Sequence, residues 1–308
     1  MERASTFMDR VRATMKSAET EGPFELYVTR TPGYVWAVFF RRAGVHPVAV
    51  TLLSIVLGGT AGCCFGSPEL HWNLIGMGLL VWADWLDCAD GQLARMTGQK
   101  SLLGRVLDGF AGDVWFFSIY FFLCLRLWPV WGVWIWLLAA WAGLRCHARQ
   151  CALADYYRNI HLHFLCGGQS AELDRSDRLY AQMHSLGWNR REWFRKLWLY
   201  FYACYTRRQE HMTPAYQRLF RLSVFRDGSL PPAAVERFLS TSRGLMKYCN
   251  ILTFDTRAGV LFASLAAGVP WFFFVFECTV LEVLKVYVRA RHEQACRTLY
   301  LDLRDHGL

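Results

Sequence analysis

The sequence has no Cys-x-x-Cys pair and no cysteine spacing of a secreted scaffold, although it carries 11 cysteines. That excludes a disulfide framework. Cysteines such as Cys63, Cys64 and Cys124 sit in apolar runs and read as small buried hydrophobes. Two groups, Cys146–His147–Cys151 and His161–His163–Cys166, have metal-binding residue types but lack a second ligand pair at zinc spacing. The opening stretch Met1–Thr31 is polar and has no short apolar core, so no cleavable signal peptide is expected. No nucleic-acid module is recognisable. Charge is also scarce, at 19% of residues against 54% hydrophobic and 16% aromatic, yet the net formal charge is +9. This balance excludes an ordinary soluble enzyme and fits a membrane protein with basic parts outside the bilayer.

Six membrane segments are predicted. The first, about Pro47–Phe65, carries no charge and offers Gly58, Gly59 and Gly62 for close helix packing. The second runs from about Trp72 to Arg95 and the third from about Leu102 to Trp128. Pro129 separates the third from a Trp-rich fourth that extends toward Gln150. The fifth and sixth span about Gly259–Gly268 and Val269–Val288, broken by Pro270. The long segments match the roughly 20 residues that a crossing requires; the fifth is short unless it begins near Tyr248. The predicted fold class is therefore an all-α, polytopic membrane protein with six transmembrane helices, an N-terminal interfacial helix and a helical cytoplasmic insertion. Its parts are a cytoplasmic or interfacial segment over 1–46, helices one to four over 47–150, a basic insertion over 151–250, and the last two helices with a tail over 251–308.

Between Arg145 and Arg257 there are 18 Lys and Arg against 9 Asp and Glu, an excess equal to the whole chain's. The positive-inside rule puts this block in the cytoplasm, and six crossings place both termini and the link Thr97–Ser101 on the same side. Aromatics mixed with bases, as in Trp193–Tyr202, suit a lipid-headgroup platform better than a nucleic-acid surface. The stretch Phe24–Arg42 is predicted as an amphipathic helix, either on the interface or packed as a cap on the bundle.

Against this apolar background Asp84, Asp87, Asp90, Asp108 and Asp113 stand out. An ionised carboxylate at hydrocarbon depth costs a few kcal/mol or more and needs a partner. Several acids at one site repel unless a cation neutralises them, and hard divalent cations prefer oxygen ligands. At 100° per residue, Asp84, Asp87, Asp90, Gly91, Ala94 and Arg95 fall within an arc of about 140° on one helix. Gly104, Asp108 and Gly112 share a face of the next. The plain alternative is an ion-pair network with Arg95, Arg105 and Lys100, but the acids exceed what such a latch needs.

The pattern Asp87-x-x-Asp90-Gly91-x-x-Ala94-Arg95, eight residues, Gly104-x-x-x-Asp108 closely resembles the signature of the CDP-alcohol phosphotransferase family. The resemblance implies a membrane enzyme of phospholipid synthesis, usually a homodimer, with two divalent ions, Mg²⁺ or Mn²⁺. It implies that Asp87, Asp90, Asp108 and Asp113 ligate the metals and that Gly91, Ala94, Arg95 and Gly104 hold the CDP moiety. Asp113 would be the catalytic base, and CMP would leave. The favoured form joins CDP-diacylglycerol to a small polar alcohol or alcohol phosphate, with Arg145 and Arg149 available to an anionic acceptor. The other form moves a CDP-amino alcohol's headgroup to diacylglycerol or ceramide. A non-catalytic lipid-binding protein and a metal-dependent lipid phosphatase are rivals of other classes. The partners expected are a CDP-linked donor, an alcohol acceptor and the bilayer, with no nucleic acid; the place expected is a bacterial inner membrane, with the site facing the cytoplasm.

One departure stands out. The family's last acid comes four residues after the third, where this chain has Gly112; the acid comes one later, at Asp113. A regular helix sets Asp113 about 140° from Asp108. Either a π-bulge near Gly109–Gly112 absorbs the extra residue, or Asp113 is not the base and Asp84 stands in reserve.

Overall fold

His46 starts the first long helix, α3 (Pro47–Phe65). Its backbone is extended and its Nδ1 accepts from the Val48 N–H at 3.2 Å, while Pro47 fills the first turn, where no N–H is needed. Two short helices precede it. These are α1 (Phe7–Ala13) and α2 (Thr31–Arg42), the latter entered through a π-helical segment, Glu25–Arg30. The helix expected over Phe24–Arg42 is thus present, with wider turns in its first part. The computed structural model describes residues 6–15, 17, 19–22, 24–99, 102–166, 173–190, 192–225 and 230–306, all helix and connection with no strand among them. Lys100 and the side chain of Arg105, offered as ion-pair partners, lie outside the described part.

The chain forms two compact units. The first takes in residues 1–147 and 257–278. In it α3 packs against α4 (Leu70–Thr97) and α5 (Leu102–Trp131). The small-residue face of α3 explains the α5 contact. A methyl group on Gly58 would lie 2.2 Å from the Trp115 ring, and one on Gly62 would lie 2.3 Å from Ser118 Oγ. Gly59, counted in that face from the sequence, meets only open space. Helix α2 packs on α4, with Gly33 against Cys88. Pro129 does not end α5, as expected; it sits in the last turn, and the chain turns three residues later at Gly132, whose φ of 53° suits only a residue without Cβ. The fourth segment follows as α6 (Val133–Ala140) and a second π-helical stretch, Trp141–His147. Later come α12 (Phe254–Ala266), which begins before the expected Gly259, and α13 (Trp271–Cys278).

Among the described residues two helices are long and apolar enough to cross a bilayer, Pro47–Phe65 and Leu107–Trp131 within α5. On α5 the buried side is Trp115, Phe116, Ile119 and Leu123, while Phe117, Phe121, Leu125 and Trp128 are exposed at helical spacing. A helix apolar on both faces, one of them uncovered, is suited to lipid.

The second unit takes in residues 148–256 and 279–308. Its helices are α7 (Ala148–Leu165), α8 (Ser176–Ser185), α9 (Trp193–Met212), α10 (Pro214–Phe225), α11 (Pro232–Ile251) and α14 (Val280–His306). The start of α10 is held by Glu293, whose Oε2 accepts from the Ala215 N–H at 2.7 Å, a carboxylate at a helix N-terminus. Fully buried Tyr157 stacks on His292 with ring centroids 3.7 Å apart. Within the unit Arg158 Nη2 donates to Asn250 Oδ1 at 2.6 Å, tying α7 to α11.

Candidate active site along the second long helix

The C-terminal half of α4 places the acids. Asp90 is buried, and its Oδ2 accepts a short hydrogen bond from Thr51 Oγ1 on α3. Thr51 also donates to the Pro47 carbonyl at 3.2 Å, so its hydroxyl is held between helix backbone and carboxylate. One turn earlier, Asp87 Oδ1 is buried with no hydrogen-bond partner among the described residues. Both carboxylates lie in the field of Asp108 on α5, and Asp87 also feels Asp90 and Asp84. The structure therefore brings Asp84, Asp87, Asp90 and Asp108 into one electrostatic neighbourhood. Against them stands Arg30, which acts on Asp87 and Asp84 and pairs with Glu21 at 2.9 Å.

Arg95 follows Gly91 by one turn on the same face of α4. Its Nε donates to the Thr14 carbonyl at 2.6 Å. Its two Nη atoms lie over Gly91: a Cβ there would be 3.5 Å from each. Ala94 is half-buried beside it, and Gly104 is half-buried on α5.

Asp113 lies apart from this group. No bulge interrupts α5, which is α-helical throughout Gly109–Gly112, so the expected extra residue is not absorbed there. The π-helical geometry of this chain falls at Glu25–Arg30 and Trp141–His147 instead. Asp113 is exposed and lies in the field of His147, apart from the other acids. The glycines Gly109 and Gly112 do not distort the helix because α-helical geometry needs nothing of them; a Cβ at either would meet open space.

Among the described residues no three His, Cys, Asp or Glu side chains stand where they could hold a metal ion. In the cysteine–histidine groups His161 is bound to Ser242 Oγ at 2.9 Å, and the cysteines form no disulfide. The carboxylate group fits divalent ions by its chemistry. Its members are oxygen donors whose like charges act on one another, and one buried oxygen has no hydrogen-bond partner among the described residues.

Sequence reasoning missed three features. One is Thr51 as the partner of Asp90. Another is the Thr14 carbonyl as the partner of Arg95. The third is a buried polar network in the same unit: Glu277 on α13 pairs with Arg257 on α12, accepts from Tyr120 OH at 2.5 Å and lies 3.2 Å from His147 Nδ1. Arg257 and Glu277 are fully buried. Their signal was available, since each is a lone charge at the edge of or inside an apolar run.

Residues 44–161 match the family model of the CDP-alcohol phosphatidyltransferases. The match takes in α3, α4, α5 and the whole acidic motif, and leaves the N-terminal segment and everything after His161 outside. The resemblance carried by the motif is thereby borne out over this stretch. A match to this family points to an enzyme that transfers a phosphoalcohol from a CDP-alcohol. No curated protein and no solved structure matches the chain.

Proposed function

We propose that this protein is a membrane enzyme that cleaves a CDP-linked donor at its pyrophosphate, hands the alcohol-bearing phosphoryl group to an alcohol and releases CMP. The observation that carries the reading is the buried Asp87 Oδ1, with no hydrogen-bond partner among the described residues, among the like charges of Asp84, Asp90 and Asp108, the last two in the field of the Arg95 guanidinium. Asp87, Asp90 and Asp108 would hold two divalent ions, Mg²⁺ or Mn²⁺, whose chemistry is to polarise the pyrophosphate and offset charge on departing CMP. Thr51 fixes the rotamer of Asp90 through its hydroxyl. Gly91 and Ala94 leave the backbone of α4 open to the nucleotide, with Gly104 doing the same on α5. The fork of Arg95 takes a donor phosphate.

The proton of the acceptor hydroxyl needs a carboxylate near the same acids. Asp113, expected in that role and as a metal ligand, is exposed on a regular helix and lies in the field of His147. Asp84, one turn before Asp87 and within its field, is the base we assign. The favoured donor remains CDP-diacylglycerol with a small polar alcohol or alcohol phosphate as acceptor, and a CDP-amino alcohol with a lipid alcohol is the alternative. The proposal includes six crossings, a cytoplasmic site and a homodimer, as the resemblance implies.

The test is incubation of purified protein with each class of CDP-linked donor and a panel of acceptors, following CMP. Release of CMP with at least one pairing, abolished by chelation and restored by Mg²⁺ or Mn²⁺, is expected. Lipid binding with no CMP from any pairing would establish the non-catalytic reading; release of inorganic phosphate from a lipid phosphomonoester, offered with water as the one acceptor, would establish the phosphatase.

A further inference from the structure

The N-terminal segment lies on the motif helix through side chains of that helix. Trp85 Nε1 donates to the Val28 carbonyl at 2.9 Å, Gln92 Nε2 to the Arg30 carbonyl at 3.1 Å, and Arg95 Nε to the Thr14 carbonyl at 2.6 Å. The segment is anchored at its far end as well. Val11 is fully buried, Thr14 and Thr20 nearly so, and Phe7 packs edge-on against Tyr34 of α2 at 5.6 Å. The Glu21–Arg30 pair closes the turn between these anchors.

The third hydrogen bond differs from the other two in what it holds. A guanidinium has three nitrogen sites in one plane, and fixing Nε fixes the direction of the other two. Here both Nη atoms lie over Gly91, and Nη2 is buried with no hydrogen-bond partner among the described residues. The fork is aimed into the acidic site with donors to spare.

We propose that the N-terminal segment is a positioning element of the donor site: the Thr14 carbonyl locks the Nε of Arg95 so that its two Nη groups present a preset fork to a phosphate of the CDP-linked donor. This rests on the donor-site reading above and extends it to residues that the family match does not reach. The carbonyl is a neutral acceptor, so it orients Arg95 without consuming its charge. Without it Arg95 is a free rotor that must be ordered at each binding event.

The probe is CDP with Mg²⁺, titrated calorimetrically into the full-length protein in detergent. Val11→Asp puts a charge into a fully buried site and should lift α1 and Thr14 from their seat. A gentler pair, Trp85→Phe with Gln92→Met, loosens the segment without a buried charge, and circular dichroism checks that both proteins remain helical. We expect Val11→Asp to weaken CDP binding roughly tenfold and the pair roughly threefold, as loss of preorganisation does. In an Arg95→Lys background neither change should cost more than about twofold, since a single ammonium has no fork to orient. Tighter binding in the loosened proteins would make the segment a competitor of the donor and overturn the inference. Unchanged binding, or equal losses in the Arg95→Lys background, would overturn it too. If the unaltered protein binds no CDP, the donor-site reading itself fails and the inference falls with it.

Discussion

At the scale of single residues the site is a problem in unpaired charge. Asp90 has Thr51; Asp87 has an oxygen with no hydrogen-bond partner among the described residues. Replacing Asp87, Asp90 or Asp108 by Asn removes one carboxylate charge while keeping shape. Each variant should lose CMP release by more than about a hundredfold while staying helical and membrane-inserted. Near-normal turnover in any two of them would sink the assignment. Thr51→Val is the milder probe. It keeps the branched shape but deletes the donor to Asp90, a hydrogen bond to a charged group worth about 1.5–3 kcal/mol. Turnover should fall roughly tenfold, with the fold intact. Asp84 and Asp113 can be told apart the same way. Asp84→Asn should slow the chemical step by about two to four powers of ten, as loss of a general base does, and Asp113→Asn should cost little. The inverse result would return the base to Asp113. The acids were legible in the sequence because carboxylates in apolar runs are conspicuous. Thr51 was not, because a threonine near the start of an apolar helix has no distinctive pattern, and its partner lies 39 residues away.

At the scale of helices, close approach and burial set what each element tolerates. Helix α3 meets α5 at Gly58, where a methyl group would sit inside the Trp115 ring contact. Gly58→Ala should therefore destabilise this pair by about 1–3 kcal/mol, seen as a lower thermal midpoint, whereas Gly59→Ala should be neutral or better. The apolar run predicted that α3 would pack through small residues. It did not tell Gly58 from Gly59, because that depends on the rotation of α3 against a partner 57 residues on. In the second unit α14 carries a different constraint. His292 is fully enclosed, stacked on Tyr157, edge-on to Phe238 and 3.7 Å from Cys296 Sγ. Burial pulls its pKa from the usual 6.5 to about 3. The folded helix thus holds a neutral ring where the unfolded chain binds a proton. Its contribution is whole above about pH 6.5 and is lost as pH falls from there toward 3, by up to about 1.4 kcal/mol per unit. Thermal unfolding followed between pH 7 and 5 should show this slope, and His292→Phe, which keeps the ring on Tyr157, should flatten it. An equal slope in both proteins would assign the acid sensitivity to other groups.

At the scale of the whole molecule the chain combines an apolar part that carries the motif with a basic part that does not. The first was readable from composition: the starts of α3 and α5 fall where the apolar runs predicted, and α4 starts within two residues of its run. The later segments were read less well. Helix α12 starts five residues early, and the sixth segment divides at Thr279 into α13 and α14, since Glu277 is drawn to Arg257 and His147 rather than to the pattern of its own run. The N-terminal segment was invisible in its function because its contacts are side chain to carbonyl across as many as 81 residues, which no local periodicity encodes. Topology is where the two parts make one testable statement. The excess of 18 bases over 9 acids between Arg145 and Arg257 opposes translocation of that block, while the turn Gly66-Ser67-Pro68 after α3 carries no base. Reporter fusions should therefore report the cytoplasm after Trp188 and at both termini, and the opposite side at Ser67. On the proposed six crossings the C-terminal end of α4, with Arg95, would face the cytoplasm, where a water-soluble nucleotide can leave. A fusion at Trp188 that reports the outer side would remove the six-crossing count and, with it, the route by which CMP departs into the cytoplasm.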